Sequence, residues 1–288
     1  MESIPETTLE ALIARYEVLL FDAYGVLVTS GGPLPGPAPL LTHLNRLGKP
    51  YYLLTNDASK LPSSAARHYQ SYGLPLTAER IITSGDLLSE YFATHQLSGA
   101  RCAVLGPEDS AQFVVQAGGQ VVPPTASFEA LIIGDESGFP FLETVDAAFS
   151  SLCHQLDRQH PVHLILPNPD IIYPTPNQGF GMASGSVALM FEAALQARYP
   201  ERTDLQFVRL GKPYAAIFAA ALRRSGTPNM LMFGDQMATD IRGARDFGLD
   251  AVLVGTGVSD DIPAATPDHL RPTYRLRSLV STSLESLK

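Results

Sequence analysis

The sequence has few cysteines, no tryptophan and no long apolar run. Its two cysteines, Cys102 and Cys153, are too few for a disulfide framework or a structural zinc site. No apolar segment approaches the roughly 20 residues that a membrane-spanning helix needs, and the polar start of the chain lacks the apolar core of a signal peptide. We therefore expect a cytoplasmic protein with reduced thiols and no membrane partner.

Basic charge is also scarce. The 288 residues include 20 Lys and Arg against 29 Asp and Glu, which gives a net charge of −9 at pH 7. Nucleic acids and anionic membranes are bound through basic faces, so the composition argues against nucleic acid as a partner. Hydrophobic residues make up 45% of the chain and charged residues 17%, as is typical of a globular protein with a buried core.

Short apolar runs alternate with helical patterns along the chain. Strands separated by helices of this length indicate βαβ units and a parallel sheet. The region 167–185 is rich in Pro, Asn, Gly and Tyr, which predicts a structured loop, and the tail after Gly257 gives no clear pattern. The predicted strands are 18–21, 51–54, 80–82, 101–105, 130–133, 162–166, 207–210, 230–233 and 251–254, and the predicted helices are 39–47, 62–72, 85–95, 109–117, 141–156, 186–198, 214–224 and 238–247.

Acidic residues follow predicted strands near both ends of the chain. Asp22 comes directly after the run 18–21, and Asp235 comes just after the run 230–233. Ligands of open parallel sheets bind at the carboxyl ends of the strands, so two such carboxylates on one sheet can share a cation and a phosphate. We predict a doubly wound, mostly parallel α/β core formed by residues 1–85 and 205–288, with an inserted α/β cap domain at 86–204.

Eight motifs in this order resemble those of the haloacid dehalogenase superfamily. The likeness is to its class IIA members, the sugar-phosphatase and nitrophenylphosphatase-like group, which carry a C2-type α/β cap between their second and third motifs. The motifs are Asp22-Ala23-Tyr24-Gly25-Val26, Leu34-Pro35-Gly36, Leu54-Thr55-Asn56, Thr83-Ser84, Asn168-Pro169-Asp170, Gly185-Ser186, Gly211-Lys212-Pro213, and Gly234-Asp235 through Thr239-Asp240.

The resemblance implies an enzyme that hydrolyses a small phosphorylated metabolite. Asp22 stands where the superfamily keeps the nucleophile that forms an aspartyl-phosphate. Thr55 and Asn56 would donate hydrogen bonds to the phosphoryl oxygens. Lys212 would neutralise the nucleophile and the transferred group.

The resemblance also implies a Mg²⁺ site. Asp22, Asp235 and the backbone carbonyl of Tyr24 would bind the ion, because Mg²⁺ takes one or two carboxylates together with phosphate and water. Asp240 would lie in the second shell of the metal or against Lys212.

The cap residues that correspond to the family's motifs would face the leaving group. These are Asn168, Asp170 and Tyr173. Similarity to the class also suggests a homodimer. Three histidines lie near one another in the sequence, but no acid or cysteine completes a metal-ligand spacing with them, so no metal site is predicted. They are His154, His160 and His163.

Tyr24 departs from the family pattern. Phosphatases of the superfamily usually have an aspartate at this position, which protonates the leaving group and then activates water. A tyrosine, with a pKa near 10, is too weak a base for that role at neutral pH. Three functions stay open: a phosphohydrolase with slow turnover, an impaired member that binds a phosphorylated ligand or a partner protein, and a 2-haloacid-dehalogenase-like hydrolase, whose first motif reads Phe-Asp-Ala-Tyr-Gly.

Overall fold

Two compact units make up the chain. The computed structural model describes residues 4–5, 7–175, 179–257, 259, 262 and 265–281. Unit 1 comprises Met1–Thr55, Pro62–Ile82 and Lys212–Lys288, and unit 2 comprises Asn56–Leu61 and Thr83–Gly211. Unit 2 differs from the predicted insertion of 86–204 by a few residues at each end and by the short segment 56–61.

Unit 1 is built on a parallel sheet. Its strands are β1 (Val18–Phe21), β2 (Val28–Thr29), β3 (Gly32–Pro33), β4 (Tyr51–Thr55), β5 (Ile81–Thr83), β13 (Met230–Gly234), β14 (Asp250–Val254) and β15 (Tyr274–Leu276), and its helices are α1 (Leu9–Arg15), α2 (Pro37–Leu47), α3 (Pro62–Ser71), α8 (Ala215–Ser225) and α9 (Arg242–Asp246). The six-stranded sheet has the order β15-β14-β13-β1-β4-β5, while β2 and β3 form a separate hairpin. The central strand β1 pairs in parallel with β4 and β13 and is buried throughout, as expected for a sheet covered on both faces.

Unit 2 contains a second parallel sheet. Its strands are β6 (Arg101–Leu105), β7 (Gln120–Val122), β8 (Ala130–Ile133), β9 (His163–Leu166), β10 (Ile172–Thr175), β11 (Gly179–Met182) and β12 (Val208–Arg209), and its helices are α4 (Leu87–His95), α5 (Glu108–Gln116), α6 (Phe141–Asp157) and α7 (Ser184–Arg198). Five strands pair in parallel in the order β12-β9-β8-β6-β7. Helices α6 and α7 bury apolar faces in the core of this unit.

The predicted parallel α/β class is confirmed, but one local prediction is wrong and a predicted helix differs in the type of its first turn. The region 167–185 is not a loop throughout, because β10 and β11 form an antiparallel hairpin in it. Pro174 argued against a strand here, because proline has no N–H to donate to a neighbouring strand. A two-stranded ribbon tolerates it, since each of its strands has one edge that needs no partner. The predicted helix 238–247 begins as a π-helical turn, Met237–Ile241, before α9. The tail also contributes β15 to the sheet edge.

No helix in the described ranges combines the length and the apolar character that crossing a membrane requires.

Gly36 gives a test of how the tail packs. It caps α2 with a φ of +100°, and a Cβ there would lie 2.6 Å from the backbone of Leu279. We expect Gly36→Ala to lower the free energy of unfolding by roughly 1–2 kcal/mol for the left-handed backbone and by about 1–3 kcal/mol more for the clash. Gly48→Ala is the matched control, because Gly48 has a φ of +63° and open space around it. Equal losses of stability in the two variants, measured by urea unfolding, would contradict the close packing of Gly36 against Leu279.

Candidate active site

Asp22 lies where the strand order of the unit 1 sheet reverses. From the centre of the sheet, β1, β4 and β5 follow one another toward one edge. In the same way, β13, β14 and β15 follow one another toward the other edge. Phe21 pairs with Phe233, and the backbone N–H of Asp22 donates to the carbonyl of Phe233 at 2.9 Å. The residues that follow these two strands, Asp22 and Asp235, therefore reach the same crevice at the carboxyl edge, the usual ligand site of an open α/β sheet.

Three carboxylates and one ammonium group are buried together in this crevice. Asp22, Asp235 and Asp240 each offer an oxygen within 4.8 Å of the others. Lys212 is 3% exposed, and its Nζ donates to Oδ1 of Asp22 and, at 2.7 Å, to Oδ1 of Asp240. Charges buried this deeply are tolerated only when they are paired, so Lys212 is needed to compensate the acids.

Burial and neighbouring charges set the protonation of this cluster. Burial raises the pKa of Asp22 well above its ordinary value; the Lys212 ammonium opposes the shift, and the carboxylates of Asp240 and Asp235 add to it. Burial disfavours the charged form of Lys212, but Asp22 and Asp240 outweigh burial and raise the pKa of Lys212. Three carboxylates face one ammonium group, and a divalent cation would offset the negative charge that remains.

The hydrogen bonds of Asp240 indicate its role in the site. Both oxygens of Asp240 accept hydrogen bonds, Oδ1 from Lys212 and Oδ2 from the backbone N–H of Gln236 at 3.2 Å. Asp240 thus orients Lys212 through one oxygen and is itself held in place through the other. Of the two roles predicted for Asp240, the contact with Lys212 is the one present in the structure.

The backbone at two glycines packs closely against the Asp235 carboxylate. A Cβ at Gly25, whose φ is +83°, would lie 2.3 Å from Oδ2 of Asp235, and one at Gly257 would lie 1.9 Å from it. The hydroxyl of Thr256 donates to the carbonyl of Gly25 at 2.6 Å and ties these two turns together. Only glycine therefore lets the backbone come this close at both positions. The clustered carboxylate oxygens are ligands that suit a hard cation such as Mg²⁺. Sequence reasoning missed Gly257 and Thr256, because they lie outside the eight recognised motifs.

Thr55 reaches the same edge of the sheet. It is the last residue of β4, is buried, and lies two positions beyond Leu53, which pairs with Phe21. Tyr24, two residues after Asp22, is 40% exposed.

Asn56, Asn168 and Asp170 come together within unit 2. The side-chain amide of Asn56 donates to Oδ1 of Asp170 at 2.9 Å, and the backbone N–H of Asp170 donates to Oδ1 of Asn168 at 3.0 Å. The hydroxyl of Ser84 donates to the carbonyl of Asn56 at 2.6 Å. Asp170 therefore orients Asn56, a contact that the sequence did not predict. Tyr173, on β10, is 42% exposed.

Family models match both ends of the chain. One described as haloacid dehalogenase-like hydrolase matches residues 19–120, and one described as HAD-hydrolase-like matches residues 209–282. A solved structure from Cytophaga hutchinsonii, described as a possible sugar phosphatase of the HAD superfamily, is 32% identical, with a TM-score of 0.81 over 97% of this chain and 99% of that one.

Two further relatives are named as phosphatases. A dihydroxyacetone phosphatase of Corynebacterium glutamicum is 28% identical over 90% of this chain and 88% of the relative. A glycerol phosphate phosphatase of Mycobacterium tuberculosis, solved in complex with calcium, is 25% identical with a TM-score of 0.77, over 93% of this chain and 75% of that one.

Removal of the buried lysine tests the charge balance of the site. We expect Lys212→Met to lower the free energy of unfolding by about 3–5 kcal/mol in EDTA, because two buried carboxylates lose their counter-charge. Lys60→Met is the matched control, since Lys60 pairs with Asp57 near the surface, where a pair contributes at most about 1 kcal/mol.

The loss in Lys212→Met should depend on pH. Without the ammonium group, the raised pKa of Asp22 lets the folded variant bind more protons than the unfolded chain, so its stability falls as pH rises. Urea unfolding should therefore show a smaller deficit at pH 5 than at pH 8. A deficit that is the same at both pH values, or no larger than that of Lys60→Met, would contradict the charge balance described above.

Proposed function

The chain belongs to the haloacid dehalogenase-like hydrolase family, and we propose that it is a Mg²⁺-dependent phosphohydrolase acting on a small phosphorylated metabolite. The observation that carries the proposal is the contact of Lys212 with Asp22 beside Asp235, at the point where the strand order reverses. Relatives named for dephosphorylating dihydroxyacetone phosphate and glycerol phosphate support a substrate of similar size.

Asp22 is the proposed nucleophile. A carboxylate oxygen of Asp22 attacks phosphorus, the bond from phosphorus to the leaving oxygen breaks, and an aspartyl-phosphate forms. Water then attacks the phosphorus of this intermediate and releases inorganic phosphate together with the Asp22 carboxylate. Lys212 orients Asp22 and neutralises charge during both steps. Thr55 and Asn56 donate hydrogen bonds to the phosphoryl oxygens, where charge develops.

The proposed ligands of the cation are Asp22, Asp235 and the backbone carbonyl of Tyr24. A bound Mg²⁺ would supply charge neutralisation for the phosphate. Two observations support this assignment: the excess of carboxylates over ammonium groups in the crevice, and the calcium complex of the relative. Asp240 acts through Lys212.

Tyr24 limits the rate in this proposal. A phenol is a weaker acid than the usual aspartate, and because it stays protonated at neutral pH it cannot act as the base that activates water. Aryl phosphates, whose leaving groups need little protonation, should therefore react faster than alkyl phosphates. The buried acids and the phosphatase relatives favour phosphate over a 2-haloacid as substrate.

Removal of the nucleophile tests the reaction class. We expect wild-type protein to release p-nitrophenol from p-nitrophenyl phosphate with Mg²⁺ and not with EDTA, and Asp22→Asn to lose at least about 10³-fold in turnover. Asp246→Asn, which changes an exposed aspartate paired with Arg242, is the control and should keep wild-type turnover. Turnover without metal, or retained in Asp22→Asn, would refute the mechanism.

Restoration of an acid tests the role of Tyr24. With glycerol phosphate and Mg²⁺, we expect Tyr24→Asp to raise turnover by about 10²–10⁴-fold, the usual contribution of general acid–base catalysis. Tyr24→Phe should match wild type, because it removes only the phenol hydroxyl.

Two other outcomes would change the conclusion. Unchanged turnover in Tyr24→Asp would contradict the missing-acid account. Turnover in Tyr24→Asp with none in wild type, even toward aryl phosphates, would favour a role in binding a phosphorylated ligand.

A further inference from the structure

Two histidines that are distant in sequence meet on unit 2. His95 is the last residue of α4, and His163 is the first residue of β9. Their ring centres lie 5.5 Å apart, with the ring planes at 74°. His95 is exposed and His163 is half-buried, so ions in solution can reach the pair.

Tyr91 contacts both rings. Its own ring stacks on His95 with centres 3.9 Å apart, and its hydroxyl lies 3.1 Å from Nδ1 of His163. Nδ1 of His95 lies 2.9 Å from the backbone carbonyl of Tyr91. A carbonyl only accepts, so Nδ1 of His95 carries the proton and its Nε2 keeps a free lone pair in the neutral ring.

We propose that His95 and His163 form a binding site for a transition-metal ion of the Cu²⁺, Ni²⁺ or Zn²⁺ class, with Tyr91 positioning both rings. Imidazole nitrogen is the ligand that these ions favour. Metal-bound histidines characteristically donate their other ring N–H to a carbonyl, as His95 does. With metal–nitrogen bonds of about 2.0–2.1 Å, the centres of two imidazole rings bound to one ion can lie up to about 6 Å apart. The 5.5 Å between the centres of the His95 and His163 rings is within this limit.

The surroundings favour a cation at this pair. The carboxyl end of α4, where His95 lies, carries the negative pole of the helix dipole. Burial and the neighbouring His95 lower the pKa of His163, which favours the neutral form of the ring that binds metal ions.

The site would exchange its ion with solvent. Within the ranges that the structure describes, no third His, Cys or carboxylate joins the pair, so water would fill the other coordination positions, in contrast to a closed structural site. Mg²⁺ prefers oxygen ligands and does not compete for imidazoles. The proposed site is thus chemically separable from the acidic cluster of unit 1.

Copper titration of the full-length protein in excess Mg²⁺ tests the proposal. We expect one Cu²⁺ site whose electron paramagnetic resonance spectrum shows coupling to two imidazole nitrogens. His95→Ala and His163→Gln should each weaken this site by at least about tenfold, and Tyr91→Phe should weaken it by about 10–100-fold, the usual effect of losing a ligand's hydrogen-bond partner. His160→Ala is the matched control, because it removes an exposed histidine of the same unit.

Four results would overturn it: no copper site in wild type, nitrogen coupling from a single imidazole, unchanged affinity in either ligand variant, or an equal loss in His160→Ala. Melting temperatures measured without copper identify any variant that fails to fold. If His163→Gln unfolds, unchanged affinity in His95→Ala alone is sufficient to reject the site.

Discussion

The ion pairs of Lys212 with Asp22 and Asp240 are the interaction on which the candidate active site depends. Four ionisable groups lie where burial would otherwise neutralise them, and only one of them is positive. These contacts with Lys212 indicate which residue orients which. Asp240 orients Lys212, and Lys212 orients Asp22. The mechanism that we propose assigns the cation to Asp22 and Asp235 and the phosphate to Asp22.

Strand connectivity explains why these groups meet. Asp22 and Asp235 come from opposite ends of the chain, yet each follows a strand at the centre of one parallel sheet. Backbone pairing of β1 with β13 fixes their separation, and glycines at 25 and 257 keep Cβ atoms away from the Asp235 carboxylate. The polar site is therefore supported by a buried apolar sheet, and this rigid support suits a mechanism that relies on charges held in place.

Much of this could be predicted from the sequence, because apolar runs and the acids that follow them are local patterns. The strand before Asp22 was predicted with its bounds, and the sheet class followed from alternation. The contact of Asn56 with Asp170 and that of His95 with His163 could not be predicted, since each joins segments that only the fold brings together. The hairpin of β10 and β11 was missed because proline and glycine signal a loop even where backbone pairing forms a ribbon.

The most direct test of the account is detection of the phosphorylated enzyme. Wild-type protein would be mixed with p-nitrophenyl phosphate and Mg²⁺, quenched in acid during the first turnovers, and digested for mass spectrometry. Because no strong base is available at Tyr24 to activate water, we expect phosphate to accumulate on the peptide that contains Asp22, and not to do so in EDTA. Release of p-nitrophenol with no phosphorylated peptide, or with phosphate on a different residue, would contradict the central role of Asp22.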